Sequence, residues 1–110
     1  MAITPVVRDQ WHDGKRTHVV GALTFTGNYT TGGVAVDFPA NGVQTGAPPT
    51  MVDVPAVQGH SFVYVPGTSA SNGLLQVWKT SDGTQLAAAA FPAALLGAPA
   101  PFYGIFKAGL

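Results

Sequence analysis

Apolar residues in this chain recur mostly at every second position, in short runs separated by Gly, Asn, Asp and Pro. No stretch repeats them at i, i+3, i+4 and i+7 over more than two turns without a Gly or Pro. A period of two sends alternate side chains to opposite faces of an extended backbone, so the pattern predicts strands rather than helices. Ile3 to Arg8 reads as a leading strand or arm. His18 to Thr26 places Val19, Leu23 and Phe25 on one face and His18, Thr24 and Thr26 on the other. Val34 to Phe38 turns Val34, Val36 and Phe38 inward and Asp37 outward. Met51 to Val57 sets Val52 and Val54 opposite Asp53, and Pro55 marks an edge strand or a bulge. His60 to Val65, Leu74 to Thr80, Thr84 to Ala90 and Phe102 to Ala108 complete the set. One helical turn is expected at Pro92 to Leu96.

The strongest local signal is LLQVWKTSDGTQLAAAA, a hairpin in which Asp82-Gly83 supplies positive-φ positions. A two-residue loop there pairs Val77 with Ala88, Trp78 with Ala87 and Lys79 with Leu86. One face then carries Leu75, Val77, Leu86 and Ala88, and the other Gln76, Trp78, Thr80 and Gln85; a three-residue loop would shift the pairing. Asp13-Gly14 and Asn72-Gly73 are further turn signals, Gly67 to Gly73 a loop, and Asn41 to Thr50, with Pro48-Pro49, a longer irregular one. Seven or eight short strands predict an all-β fold, a single antiparallel β-sandwich or small barrel of jelly-roll or Ig-like kind. Residues 1–16 are expected as an N-terminal arm or hairpin and 17–110 as the sandwich.

Composition changes the picture at the surface. The 110 residues suffice for one domain. Only 9% of them are charged, against about 25% in an ordinary soluble domain. Five Asp balance five Lys and Arg, with no Glu, so the formal net charge is zero. Five of these ten charges fall in Arg8 to Arg16, RDQWHDGKR, which reads as a solvated hairpin turn. Phosphate neutralisation needs clustered cations, so nucleic acid is not an expected partner. A surface made of Thr, Gln, Gly, Pro and small apolar groups is instead suited to being covered by other chains. With no cysteine there is no disulfide scaffold and no thiolate site. The start, MAITPVVRDQW, shows no signal peptide. The uncharged run Thr84 to Phe106 contains Pro92, Gly97, Pro99, Pro101 and Gly104, which argues against a membrane span.

Candidate chemistry is sparse. His12, His18 and His60 lack metal-ligand spacing, and five scattered Asp offer no carboxylate pair. Gly59-His60-Ser61-Phe62-Val63 begins like a nucleophile elbow but lacks its closing glycine. No enzymatic activity, cofactor or metal is expected. Asn28-Tyr29-Thr30 matches a glycosylation pattern but is better explained as turn chemistry. Trp11, Tyr29, Trp78 and Tyr103 are the candidate interface residues, through core or interface packing or, alternatively, as a stacking platform for a sugar.

The segment GALTFTGNYTTGGVAVDF, Gly21 to Phe38, resembles small structural proteins of tailed bacteriophages, including capsid decoration (cement) proteins. The motif is Tyr29-Thr30-Thr31-Gly32-Gly33, followed in similar order by an aromatic strand (HSFVYV), a loop, a Leu-x-Val hairpin closing on Asp82-Gly83, and a final strand. Gly32 and Gly33 would supply special backbone angles and Tyr29 an anchor beside them. The resemblance implies a β-rich virion subunit on the capsid surface, binding the major capsid protein and stabilising its lattice. It also implies self-association, with a trimer preferred and a dimer open. The alternatives are a tail, neck or fibre-associated subunit and a carbohydrate-binding module. The N-terminal arm departs from the resemblance and could add a strand to a neighbour's sheet.

Overall fold

A computed structural model describes residues 3–43 and 49–107. The part of the expected loop at residues 44–48, including Pro48, and the end of the expected last strand at Ala108 lie outside the described residues. The chain forms the all-β sandwich that the period-two pattern predicts, with antiparallel pairing throughout. In chain order the strands are β1 (Ile3–His12), β2 (Arg16–Phe25), β3 (Asn28–Tyr29), β4 (Val34–Val36), β5 (Pro49–Asp53), β6 (His60–Val65), β7 (Gly73–Lys79), β8 (Ala89–Ala90) and β9 (Ala100–Lys107). A 3-10 turn at Pro39–Asn41 and the single helical turn α1 (Ala93–Leu96) interrupt them. The described strands number nine rather than seven or eight, because β3 and β8 are two-residue pieces too short to leave a periodic signal.

One sheet has the order β1-β2-β9-β5 and the other β4-β7-β6, while β3 and β8 pair apart from both. β1 runs the full length of β2, so the N-terminal stretch is an edge strand of the larger sheet, and β5 with its nearby Pro55 is the other edge. The turn between β1 and β2 is closed by Asp13, whose Oδ1 accepts the N–H groups of Lys15 (3.0 Å) and Arg16 (2.8 Å). Asp13, Lys15 and Arg16 of the charged run thus lie at the hairpin turn that the sequence predicts, whereas Arg8 and Asp9 stand within β1, at its bulge.

Alternation decides what meets in the middle. Val19, Leu23 and Phe25 of β2 are buried, as are Phe102 and Phe106 of β9 and Leu75 and Val77 of β7. Phe38, just beyond β4, joins the two layers. Its ring centroid lies 5.1 Å from Phe106 and 5.6 Å from Phe102 on one sheet, and 6.0 Å from Tyr64 on the other. Phe25 makes a second junction, 5.6 Å from Phe62 across the layers and 5.4 Å from Phe91. The inward face predicted for Val36 and Phe38 is the one they occupy.

The Asp82-Gly83 hairpin differs from its expected pairing. Trp78 bridges Gln85, Leu86 N–H donates to Val77 O, and Lys79 N–H donates to Thr84 O. The loop is therefore Thr80 to Gly83, and the partners shift by two residues from those of a two-residue loop. A shift of two preserves the face, so Val77 and Leu86 still share the core side. Asp82 explains the longer loop: its Oδ1 accepts both Thr84 N–H (3.1 Å) and Thr84 Oγ1–H (2.7 Å), which fixes the turn locally. The expected strand Thr84 to Ala90 shrinks to that bridge and to β8, which leaves β7 and pairs with β3.

Gly21 faces the core at the place where β1 bulges between Val7 and Asp9. A Cβ there would strike the Val6 carbonyl and lie 3.1 Å from the Phe102 ring. Gly21→Ala is accordingly expected to cost about 2 kcal/mol in denaturant unfolding, and an effect within experimental error would contradict the close approach. Tyr64 gives the opposite case. Its hydroxyl is buried against Gly73 with no partner among the described residues, and burial pushes its pKa up to about 12. Tyr64→Phe removes an unsatisfied polar atom, so stability is expected to hold or rise by up to about 1 kcal/mol. A raised folded-state pKa stabilises below the unfolded value near 10 and is lost as pH rises through about 12. The wild type is expected to lose stability relative to Tyr64→Phe in that alkaline window, read from Tm against pH.

Candidate functional site

The outer face of the four-stranded sheet can be read row by row from the strand register. One row runs Trp11, His18, Ile105, Met51 across β1, β2, β9 and β5. The row below runs Asp9, Val20, Tyr103, Asp53, with Arg8 as the extra residue of the bulge beside Asp9. Paired residues share a face, so both rows point away from the core. Val6 (47% exposed), Trp11 (42%) and Met51 (45%) all lie on this side.

Ring stacking makes part of this face rigid. Trp11 lies on His18 with centroids 5.2 Å apart and planes within 5°, and Tyr103 stacks 6.1 Å from His18. Hydrogen bonds hold the imidazole from both sides: His18 Nδ1 is 2.6 Å from Tyr103 Oη and His18 Nε2 is 2.7 Å from Asp13 Oδ2. The donors can run in one direction, Tyr103 O–H to Nδ1 and Nε2–H to the carboxylate. This fixes three rings in a near-flat plate beside the hairpin turn. Next to it lies a hollow of about 390 Å³, lined by Arg8, Val20, Asp53, Pro55, Pro101 and Tyr103 among others.

The three-stranded sheet has a different outer face. Val63 (49% exposed), Val65 (40%) and Leu74 (37%) point outward, Val65 and Leu74 as a cross-strand pair. Gln76, Ser61 and Trp78 continue it, and no charged residue stands among these positions. Trp78 is half-buried there, and its Nε1–H has no partner among the described residues.

The four candidate interface residues therefore separate. Trp11 and Tyr103 come together on one sheet, with centroids 6.5 Å apart, and Trp78 sits on the other. Tyr29 belongs to neither surface: it is 1% exposed, packs 5.9 Å from Phe91, and accepts Val77 N–H at its hydroxyl (3.2 Å). A buried ring cannot contribute to a stacking platform, so Tyr29 takes the core-packing role. Beside it the motif turns as a β-turn from Thr30 to Gly33, closed by Gly33 N–H to Thr30 O (3.0 Å), with Thr31 exposed. Gly32 (φ +100°) and Gly33 (φ +121°) take conformations that L side chains rarely adopt, and a Cβ on Gly33 would crowd Leu74. Gln85 and Gln76 tie this turn to β7, through Gln85 Oε1 accepting Gly32 N–H (2.6 Å) and Gln76 Nε2–H donating to Gly32 O (3.3 Å). Gly83 also has positive φ.

His18 and the exposed Met51, Val63, Val65 and Leu74 were not singled out from sequence. The available signal was in HSFVYV, where Val63 and Val65 alternate with Phe62 and Tyr64, so both faces of that strand are apolar. The other histidines have local roles: His12 Nδ1 is 2.8 Å from the buried Thr17 Oγ1, and His60 Nδ1 is 2.9 Å from Gln58 O. Among the described residues no three His, Cys, Asp or Glu group to hold a metal ion, and no helix is long and apolar enough to cross a membrane. Neither a family model, a curated protein nor a solved structure matches this chain.

The bond to His18 first, and the Lys15 and Arg16 N–H groups second, hold the Asp13 carboxyl well below the usual carboxylate range. Such a group stabilises above its unfolded pKa, and that contribution is lost as pH falls through the folded value. Asp13→Asn is thus expected to lower Tm near neutrality, with the gap to wild type closing only below about pH 4. A gap that is unchanged down to strong acid would contradict the ionised contact.

Proposed function

We propose that this chain is a structural subunit of a phage virion, a decoration or cement protein that binds the outer head surface and stabilises the capsid lattice. The observation that carries this reading is that both sheets present apolar side chains outward. Val6, Trp11 and Met51 do so on one sheet, and Val63, Val65 and Leu74 on the other. Of these, Val63, Val65 and Leu74 adjoin one another, and a contiguous apolar patch on a folded domain marks a surface that other molecules cover. The low charge of the whole chain agrees, because interface centres are depleted in charged residues. The resemblance at Tyr29 to Gly33 supplies the setting, a phage head rather than some other assembly. In this reading the protein breaks and forms no covalent bond. Burying its faces against neighbouring major capsid protein subunits ties those subunits together.

The test uses heads that lack the protein. Added back in purified form, it is expected to co-sediment with them and to raise the temperature at which they release DNA. Leu74→Lys places a charge within the uncharged outer face and is expected to weaken head binding by at least about tenfold, with an unchanged circular dichroism spectrum. Labelled protein that never binds heads, or that binds only tails, would overturn the assignment.

A further inference from the structure

The bulge in β1 serves the hollow on the outer face of the larger sheet. A bulge re-aims the side chain of its extra residue, and here it sets Arg8 at the rim of that space of about 390 Å³. Asp53 of β5 stands at the opposite rim, and Val20, Pro101 and Tyr103 of the two central strands form the floor between them. Arg8 and Asp53 are exposed, and neither side chain has a hydrogen bond or ion pair among the described residues. Asp9, beside Arg8, accepts Gln10 N–H (2.8 Å) and does not line the hollow. The floor is fixed at Tyr103, because its hydroxyl lies 2.6 Å from His18 Nδ1 and His18 is held in turn by Asp13. A space of this size, with apolar walls and a few polar groups, has the character of a small-molecule site.

We propose that this hollow binds a neutral saccharide unit, an activity beyond the decoration role and not resting on it. Charge decides the ligand class. An anion drawn to Arg8 meets the Asp53 carboxylate, and a cation drawn to Asp53 meets Arg8, so neither sign of ligand is favoured. A zwitterion matches both signs, but both rims are open to water, where ion pairs contribute little and each ionised group must give up hydration. A hydroxyl carries a donor and an acceptor on one atom. One sugar hydroxyl accepts from the Arg8 guanidinium and another donates to the Asp53 carboxylate, and such charge-assisted bonds are about twice as strong as neutral ones. The C–H groups of the sugar ring then lie on Val20, Pro101 and the Tyr103 ring, so apolar surface is covered without stranding a polar atom. Because Tyr103 is already fixed, little side-chain freedom is lost on binding. The hollow begins one row beyond Trp11 and Met51, so a neighbour on that row and a saccharide in the hollow occupy different parts of the face.

The experiment is a titration of the purified, isotope-labelled full chain, followed by its amide NMR shifts. Maltose, lactose and diacetylchitobiose are the neutral probes; glucuronate, glucosamine and free alanine are the anionic, cationic and zwitterionic controls. At least one neutral probe is expected to give saturable shifts centred on the amides of Arg8, Gly21, Asp53 and Tyr103, with every control bound more weakly. Arg8→Ala and Asp53→Asn, both at exposed positions, are each expected to weaken that binding by at least about fivefold. An otherwise unchanged spectrum shows that the variants are folded. No saturable shift with any neutral probe, tighter binding of a control, shifts centred elsewhere, or an affinity indifferent to both substitutions would overturn the site. A chain that decorates heads yet binds no saccharide would overturn this site and leave the proposed function standing.

Discussion

Phe38 is where the two sheets hold each other, and most of the architecture depends on that contact. Its ring reaches two phenylalanines of β9 and one tyrosine of β6, so it is shared by both layers rather than belonging to either. Rings of this size cost about 3–5 kcal/mol to delete from a core, and a chain without disulfides has no covalent staple to replace them. Phe38 can sit there only because β4 ends at Val36 and the chain then turns at Pro39, which leaves the ring projecting between the layers. The Thr30 to Gly33 turn delivers β4 to that place. The bonds from Gln76 and Gln85 to Gly32 fix the turn against β7, and Tyr29 anchors its near side in the core. The motif that carries the phage resemblance is thus, physically, the device that sets the spacing of the sandwich.

With the inner faces joined in this way, the outer faces are what the protein has left to offer. They are unlike each other. The larger sheet carries an aromatic plate locked by His18 and Asp13, with Arg8 and Asp9 at one edge and Asp53 at the other. The smaller sheet carries Val63, Val65 and Leu74 with no charge among them. A domain with two different outer faces can meet two different neighbours. This is the arrangement that the proposed decoration role uses.

The sequence made the inward faces legible and left much of the outward ones hidden. Val19, Leu23, Phe25, Val36 and Phe38 alternate with polar or small residues, and burial follows that alternation. His60 to Val65 was legible to the residue, since turn residues bound it on both sides. The Thr80 to Gly83 loop was not, because Asp82 could close either a two-residue or a four-residue turn, and only its bonds to Thr84 decide between them. Tyr29 stood in sequence among polar turn residues, and nothing local marked it as core; the distant Phe91 and Val77 make it so. The plate of Trp11, His18 and Tyr103 depends on pairing between residues as far apart as 18 and 103, which no periodicity records. Low overall charge announced surfaces to be covered without saying where they lay.

The central claim is that both outer sheet faces are covered when the protein is at work. A cryo-EM map of intact particles containing this chain tests it most directly, through the exposure of Val63, Leu74, Trp11 and Met51 in place. The account predicts that the Val63 and Leu74 face is buried against the shell, and that Trp11 and Met51 are buried against a neighbouring subunit. Subunits resolved on the particle with both faces open to solvent, attached only by loops or termini, would contradict it.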